Sequence, residues 1–156
     1  MNRWVWWILA LAFLGACSSS PSSSTAPLGT TPSPTPVFGV YKPIPDLCSA
    51  VDYEGDPVAD HSDKSNYALY TCDRGGANVS ALFFTSTSDA ALHFKGVQAN
   101  VTGAKPVANL GTEAFSAGTS VWVYDANLVL MVRVKSGGSA DVAADLARKS
   151  LPRLRS

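Results

Sequence analysis

Two hydrophobic periods alternate along this chain from Tyr67 onward, and their order predicts its fold. Tyr67 to Asp73 and Val79 to Thr85 are β-rich runs with side chains alternating between two faces, joined at Gly75-Gly76 as a hairpin. Ala90, Phe94, Val97 and Val101 then recur at near-helical spacing, which predicts a helix from about 88 to 101 with one buried stripe. Ser86 and Asp89 stand at capping-box spacing before it, and Gly103 ends it. Lys105 to Leu110 reads as a short strand, and Gly111 to Phe115 leads into a hairpin. Its arms are Thr119 to Tyr124 and Leu128 to Lys135, turned by Asp125-Ala126-Asn127. After Gly137-Gly138, Ser139 caps a last helix over 140–151, with Val142, Leu146 and Ala147 placed inward and Pro152 closing it.

Upstream, Pro45 to Val51 reads as a short first helix, with Pro45 in its first turn and Asp46 beside the free N–H groups. Residues 54–66 carry turn formers and charges without a period and are expected to form a loop. The order is therefore helix, strand, strand, helix, two or three strands, helix. Tight links between strands require antiparallel pairing, so the expected class is α+β, a single twisted antiparallel sheet with helices packed on it. Two strand–strand–helix units in series raise the question of an internal repeat, although no residue-level similarity joins them.

A sheet with one wet face alternates apolar and polar residues, and this one does not. Val121 and Val123, with Leu128, Leu130, Val132 and Val134, take one side, while Trp122, Tyr124, Val129 and Met131 take the other. Either the segment from Val37 to Ile44 and the helices cover the second face, or a groove at Trp122, Tyr124 and Met131 receives an apolar ligand or a partner protein.

The first apolar run has a different purpose. Arg3, an apolar stretch from Trp4 to Phe13 and then small residues have the layout of a secretory signal, too short for the roughly 20 apolar residues of a spanning helix. Leu14-Gly15-Ala16-Cys17 resembles the bacterial lipobox. That resemblance implies that Cys17 receives a diacylglyceryl group on its sulfur and becomes the first residue of the mature chain. Acyl chains contribute about 0.8 kcal/mol per buried methylene, and stable anchoring takes two of them. The expected organisation is a signal peptide over 1–16, a lipidated Cys17 with a Ser/Thr/Pro-rich tether over 17–40, and a globular domain over 41–156. The tether carries too little apolar surface to offset the entropy of folding, and its prolines favour extended backbone.

Of three cysteines, Cys17 is assigned to lipid, leaving Cys48 and Cys72. An even remainder in an exported domain reads as a disulfide. Without residues 1–16 the chain has eleven bases and twelve acids, which gives no electrostatic reason to expect nucleic acid. The charge is uneven, with Asp46, Asp52, Glu54, Asp56, Asp60 and Asp63 grouped together and Arg133, Lys135, Arg148, Lys149, Arg153 and Arg155 near the end. Such asymmetry produces either attraction across the fold or two separate surfaces.

Candidate chemistry is sparse. His61 lies among carboxylates in Asp60-His61-Ser62-Asp63, and His93 lies on the expected helix one turn after Asp89. Neither spacing matches a zinc site, and the acidic stretch lacks the calcium-loop pattern. No nucleophile elbow, phosphate-cradling loop or Cys/His pair occurs. No catalytic residue, metal or cofactor is assigned.

Asp46-Leu47-Cys48 on a short helix, Tyr70-Thr71-Cys72 at a strand end, Gly111-Thr112-Glu113-Ala114-Phe115 before a hairpin and Ala143-Ala144-Asp145-Leu146-Ala147 in a closing helix resemble small actinobacterial envelope lipoproteins. Some of those resemble the extracellular sensor domains of receptor kinases. The likeness spans most of Asp46 to Leu151 and implies an anchor, a disulfide and an α+β fold, with no active site to carry over. The resulting expectation is a lipid-anchored protein on the outer face of the cell membrane that binds an apolar small molecule or an envelope protein. The alternative is a structural or accessory subunit of an envelope complex, and a third reading is a hydrolase using His61 or His93.

Overall fold

A computed structural model describes residues 39–135 and 137–155. The lipobox, Cys17, the tether before Gly39 and the Val37 end of the expected covering segment lie outside the described residues. A one-turn 3-10 helix at Leu47–Ala50 comes first, followed by strands β1 (Pro57–Asp63), β2 (Tyr67–Arg74) and β3 (Ala77–Phe84). Helix α1 (Thr87–Asn100) leads to β4 (Lys105–Pro106), β5 (Glu113–Ala117), β6 (Ser120–Asp125) and β7 (Leu128–Val134). Helix α2 (Ala140–Ser150) runs directly into a second 3-10 turn, Leu151–Leu154. The seven strands form one antiparallel sheet in the order β1-β2-β3-β7-β6-β5-β4, the α+β class that the periodicity predicts.

Strand alternation divides the core into two layers. Val79, Ala81 and Phe83 of β3, Val121 and Val123 of β6 and Leu130 and Val132 of β7 point to one face, where α2 and the two 3-10 turns cover them. Phe84, Phe115 and Val129 point to the other, where Ala90 and Phe94 of α1 pack on them. Burying a side chain such as Phe94 is worth about 2–3 kcal/mol. Cys48 and Cys72 are bonded, with Cα atoms 5.2 Å apart, inside the window a bridge requires. The Asp46 carboxylate accepts from the Cys48 N–H at 2.9 Å, so the turn bearing the first cysteine is capped as its sequence implies. Ser86 and Ser139 likewise accept from the Asp89 and Val142 N–H groups at the starts of α1 and α2.

Several expectations are corrected. Residues 54–66 are not a loop throughout, because β1 occupies Pro57–Asp63. As an edge strand wet on both faces it needs no apolar alternation, and Val58 stays 67% exposed. The lead-in at Glu113 is itself strand β5, whereas the strand expected over 105–110 stops at Pro106, with Asn109 at φ 56° turning the chain. Val142 faces out at 43% exposure, and α2 buries Ala143, Ala144, Leu146, Ala147 and Ser150 instead. Its contact surface is mostly small residues, which lets the helix backbone approach β6 and β7 closely. Pro152 does not stop the chain but sits in the first turn of the following 3-10 helix. The repeat is also broken, since α1 and α2 pack on opposite faces of the sheet.

The β6–β7 turn carries a non-glycine residue, Ala126, at φ 49°. A left-handed conformation costs an L-residue about 1–2 kcal/mol relative to glycine. Ala126→Gly is therefore expected to raise stability by at most about 0.5 kcal/mol, after the greater unfolded-state entropy of glycine and the loss of a methyl packed against the core are subtracted. Chemical denaturation of the two proteins would check it, and a lower midpoint for the variant would count against strain at this turn.

Candidate functional site

Trp122, Tyr124 and Met131 do come together. Trp122 and Met131 are directly opposite across β6 and β7, and Tyr124 lies one pair further on the same face, opposite Val129. All three are half-buried. One face of the Trp122 indole stacks on the Phe115 ring, with centroids 4.9 Å apart and planes 11° from parallel. Tyr124 lies against Phe94 of α1 at 5.8 Å. Helix α1 thus covers the Tyr124 end of this face. The row through Trp122 continues across Met131 to Ser80 and Thr71, short polar side chains that leave it wet. Such a strip offers stacking and apolar contact, and at its Tyr124 end Glu113, opposite Tyr124 in register, is held in an ion pair with Lys95 of α1 at 2.6 Å. Beside α1 a shallow apolar cavity of about 460 Å³ is lined by His93, Gly96, Val97, Asn100 and Val101. Partial burial near the Phe84 ring, 5.4 Å away, holds the His93 imidazole below its ordinary pKa and favours its neutral form.

The opposite face has a more polar cleft of about 650 Å³ between Tyr53, Arg74 and Lys149, adjoined by one of about 200 Å³ along Val142 and Leu146. Its cations are already engaged. Arg74 donates to the Val51 carbonyl at 2.9 Å and to Gly55 at 3.0 Å, and Lys149 pairs with Asp145 at 3.0 Å. Arg74 thereby clips the 51–55 loop over the β2–β3 turn, where Gly75 has φ +61° and a Cβ would collide with the Glu54 carbonyl oxygen. Asp52 meets Arg153 at 3.4 Å, so one link between the acidic and basic regions does cross the fold.

A third cluster, in which Tyr41, Asp125 and Asn127 are buried while Thr112 and Arg155 reach it from the surface, was not legible as a site. The Tyr41 hydroxyl donates to Asp125 Oδ2, Thr112 Oγ1 donates to Oδ1 at 2.9 Å, and Arg155 Nη2 donates to Oδ2 at 2.7 Å. Arg155 Nε also donates to the Tyr41 oxygen at 2.8 Å. Asn127 exchanges hydrogen bonds with the Tyr41 backbone and donates to the Phe84 carbonyl. Burial works to raise the Asp125 pKa, but the hydrogen bonds from Tyr41, Arg155 and Thr112 outweigh it and hold the carboxyl below the usual range. Burial and the adjacent carboxylate push Tyr41 up to about 12. A carboxylate satisfied by three donors from residues 41, 112 and 155 is a tie between the start and end of the domain. The only sequence signal for it is Asp and Asn flanking a turn that glycine would serve better.

The histidines lie apart. His61 is on β1, stacked on Tyr70 at 5.6 Å, and His93 is on α1. Among the described residues no three His, Cys, Asp or Glu side chains are grouped to hold a metal ion, and no helix is long and apolar enough to cross a membrane. No protein-family model, curated protein or solved structure matches the chain.

Proposed function

We propose that the protein is a lipid-anchored extracytoplasmic binding module that acts without catalysis. The observation that carries this reading is Leu14-Gly15-Ala16-Cys17 after an apolar run, followed by a Ser/Thr/Pro-rich stretch. The Cys48–Cys72 bond supports an oxidising compartment, where such bonds persist. The half-open strip of Trp122, Met131 and Tyr124 is the surface on which an apolar ligand or envelope partner would rest. A second reading, an accessory subunit presenting its charge to another envelope protein, is favoured by Asp60 and Asp63 on an exposed edge strand.

The test is Cys17→Ser in a bacterial host. The parent is expected to partition with membranes and to show an acylated N-terminus by mass spectrometry. The variant is expected to leave the membrane-anchored fraction, or to persist as an unprocessed precursor. A parent that carries no acyl group refutes the reading.

A further inference from the structure

The outer edge of β1 is a row of unused backbone groups with an adjoining side-chain cavity, and the hairpin geometry fixes which groups they are. The Lys64 N–H donates to the Tyr67 carbonyl at 2.8 Å, closing the β1–β2 turn. In an antiparallel ladder hydrogen-bonded pairs alternate, so Ser62, Asp60 and Val58 direct their amides to β2. Pro57, Ala59, His61 and Asp63 direct theirs away from the sheet. Pro57 fits that parity, since proline is tolerated where no ladder N–H is needed. β1 ends the strand order, and β4 at the far edge has only two residues, so β1 is the long free edge among the described residues.

That edge is guarded by charge. Asp60 Oδ1 accepts the outward His61 N–H at 2.8 Å, so the strand caps one of its own free amides with a carboxylate. Among the described residues no lysine or arginine lies within ion-pair distance of Asp56, Asp60 or Asp63. Lys64 occupies the turn beyond the strand, and Arg74 is engaged by loop carbonyls. Two copies meeting edge to edge would oppose acid to acid, which disfavours self-pairing. On the face to which His61 and Ala59 point, a cavity of about 210 Å³ lies between them, Pro45, Leu47 and Tyr70, with Asp60 and Thr71 also on its lining, which is more polar than apolar.

We infer that β1 is a docking edge for an extended, basic segment of a partner protein, which adds an eighth strand beside Ala59, His61 and Asp63. A lysine or arginine of the partner draws the Asp60 carboxylate off the His61 amide. That amide then joins the new ladder, while a side chain of the partner enters the cavity beside His61, Tyr70 and Thr71. Backbone hydrogen bonds supply affinity, and the cavity and the carboxylates supply selectivity. The inference rests on the reading of this domain as a binding module. It does not depend on the lipid anchor.

The full chain in detergent micelles would be titrated with a nine-residue alternating valine–lysine peptide and its valine–glutamate counterpart. Binding of the lysine peptide is expected, about tenfold or more tighter than the glutamate peptide, with slowed amide exchange at Ala59 and Asp63. Ala59→Pro removes an outward N–H without touching the β2 ladder and is expected to abolish binding. Alternate backbone N-methylation of the peptide must do the same, a control that leaves the protein unaltered. Asp60→Ala is expected to bring the two peptides' affinities together. Equal binding of both peptides by the parent chain, binding that survives both blocks, or protection confined to α1 or the Trp122 strip would each overturn the inference. So would dimerisation through β1. Repeating the titration on the Cys17→Ser chain separates the two claims, because loss of the anchor leaves the edge unchanged.

Discussion

Replacing Asp125 by alanine is expected to cost about 3 kcal/mol of stability, close to 10–15 °C in melting temperature for a domain of this size. The carboxylate accepts from Tyr41, Thr112 and Arg155, and its removal leaves the fully buried Tyr41 hydroxyl without its acceptor. The largest part of the loss is this stranding of buried groups. The Arg155 side chain is more than half exposed, so its pairing adds less than a buried ion pair would. Because the cluster joins Tyr41 to Arg155, the variant should also loosen both of these segments, and proteolysis near Tyr41 and Leu154 would report that. A melting temperature within 2 °C of the parent would show that the cluster is ornamental.

The same cluster sets two pH windows with opposite signs. Asp125 titrates below its unfolded value, so its contribution is complete above about pH 4 and fades as the pH falls through the folded pKa. Tyr41 titrates above its unfolded value near 10, pushed up to about 12 chiefly by burial. Its contribution is complete below about pH 10 and is lost as the pH rises toward 12, since only the unfolded chain ionises readily there. Comparing the parent with Tyr41→Phe isolates the alkaline window, because the two proteins differ only in that hydroxyl.

What the sequence made legible follows from how much of each element is dry on one side only. β2, β3, β6, β7 and both helices bury one stripe deeply, and the positions of Val121, Val123, Trp122 and Tyr124 on opposite faces follow from alternation alone. β1 is exposed along nearly its whole length, so its strand character comes from pairing with β2 and leaves no apolar trace. The misassigned inward position of Val142 has the opposite cause. Close helix–sheet approach selected alanine over valine, and periodicity read by hydrophobicity alone favours the larger side chain. The aromatic strip was visible because aromatics at alternate strand positions are individually conspicuous. Asp125, Tyr41 and Arg155 are separated by 30 residues or more, and only the folded register makes them neighbours.

Converting both Cys48 and Cys72 to alanine should cost about 3 kcal/mol, the chain-entropy value for a loop of some 25 residues. That is a large share of the 5–15 kcal/mol typical of a domain. The loss should be uneven. The bridge fastens the Leu47–Ala50 turn to β2, and that turn and β2 are what β1 rests on. The residues of β3, β6 and β7 that pack against α1 and α2 are not themselves cross-linked, so their packing is expected to outlast that of the turn. Amide exchange in the reduced or doubly substituted protein should therefore accelerate first at β1 and the 3-10 turn, then at β2, and last at β7. Cavity loss at two buried sulfurs adds a smaller cost, and adding reductant to the parent chain separates it from the cross-link, since the thiols still fill the space. If reductant leaves both the melting temperature and β1 exchange unchanged, the bond does not hold the edge in place. If β1 alone opens, the oxidation state of one bond sets whether the free strand edge exists to receive a partner.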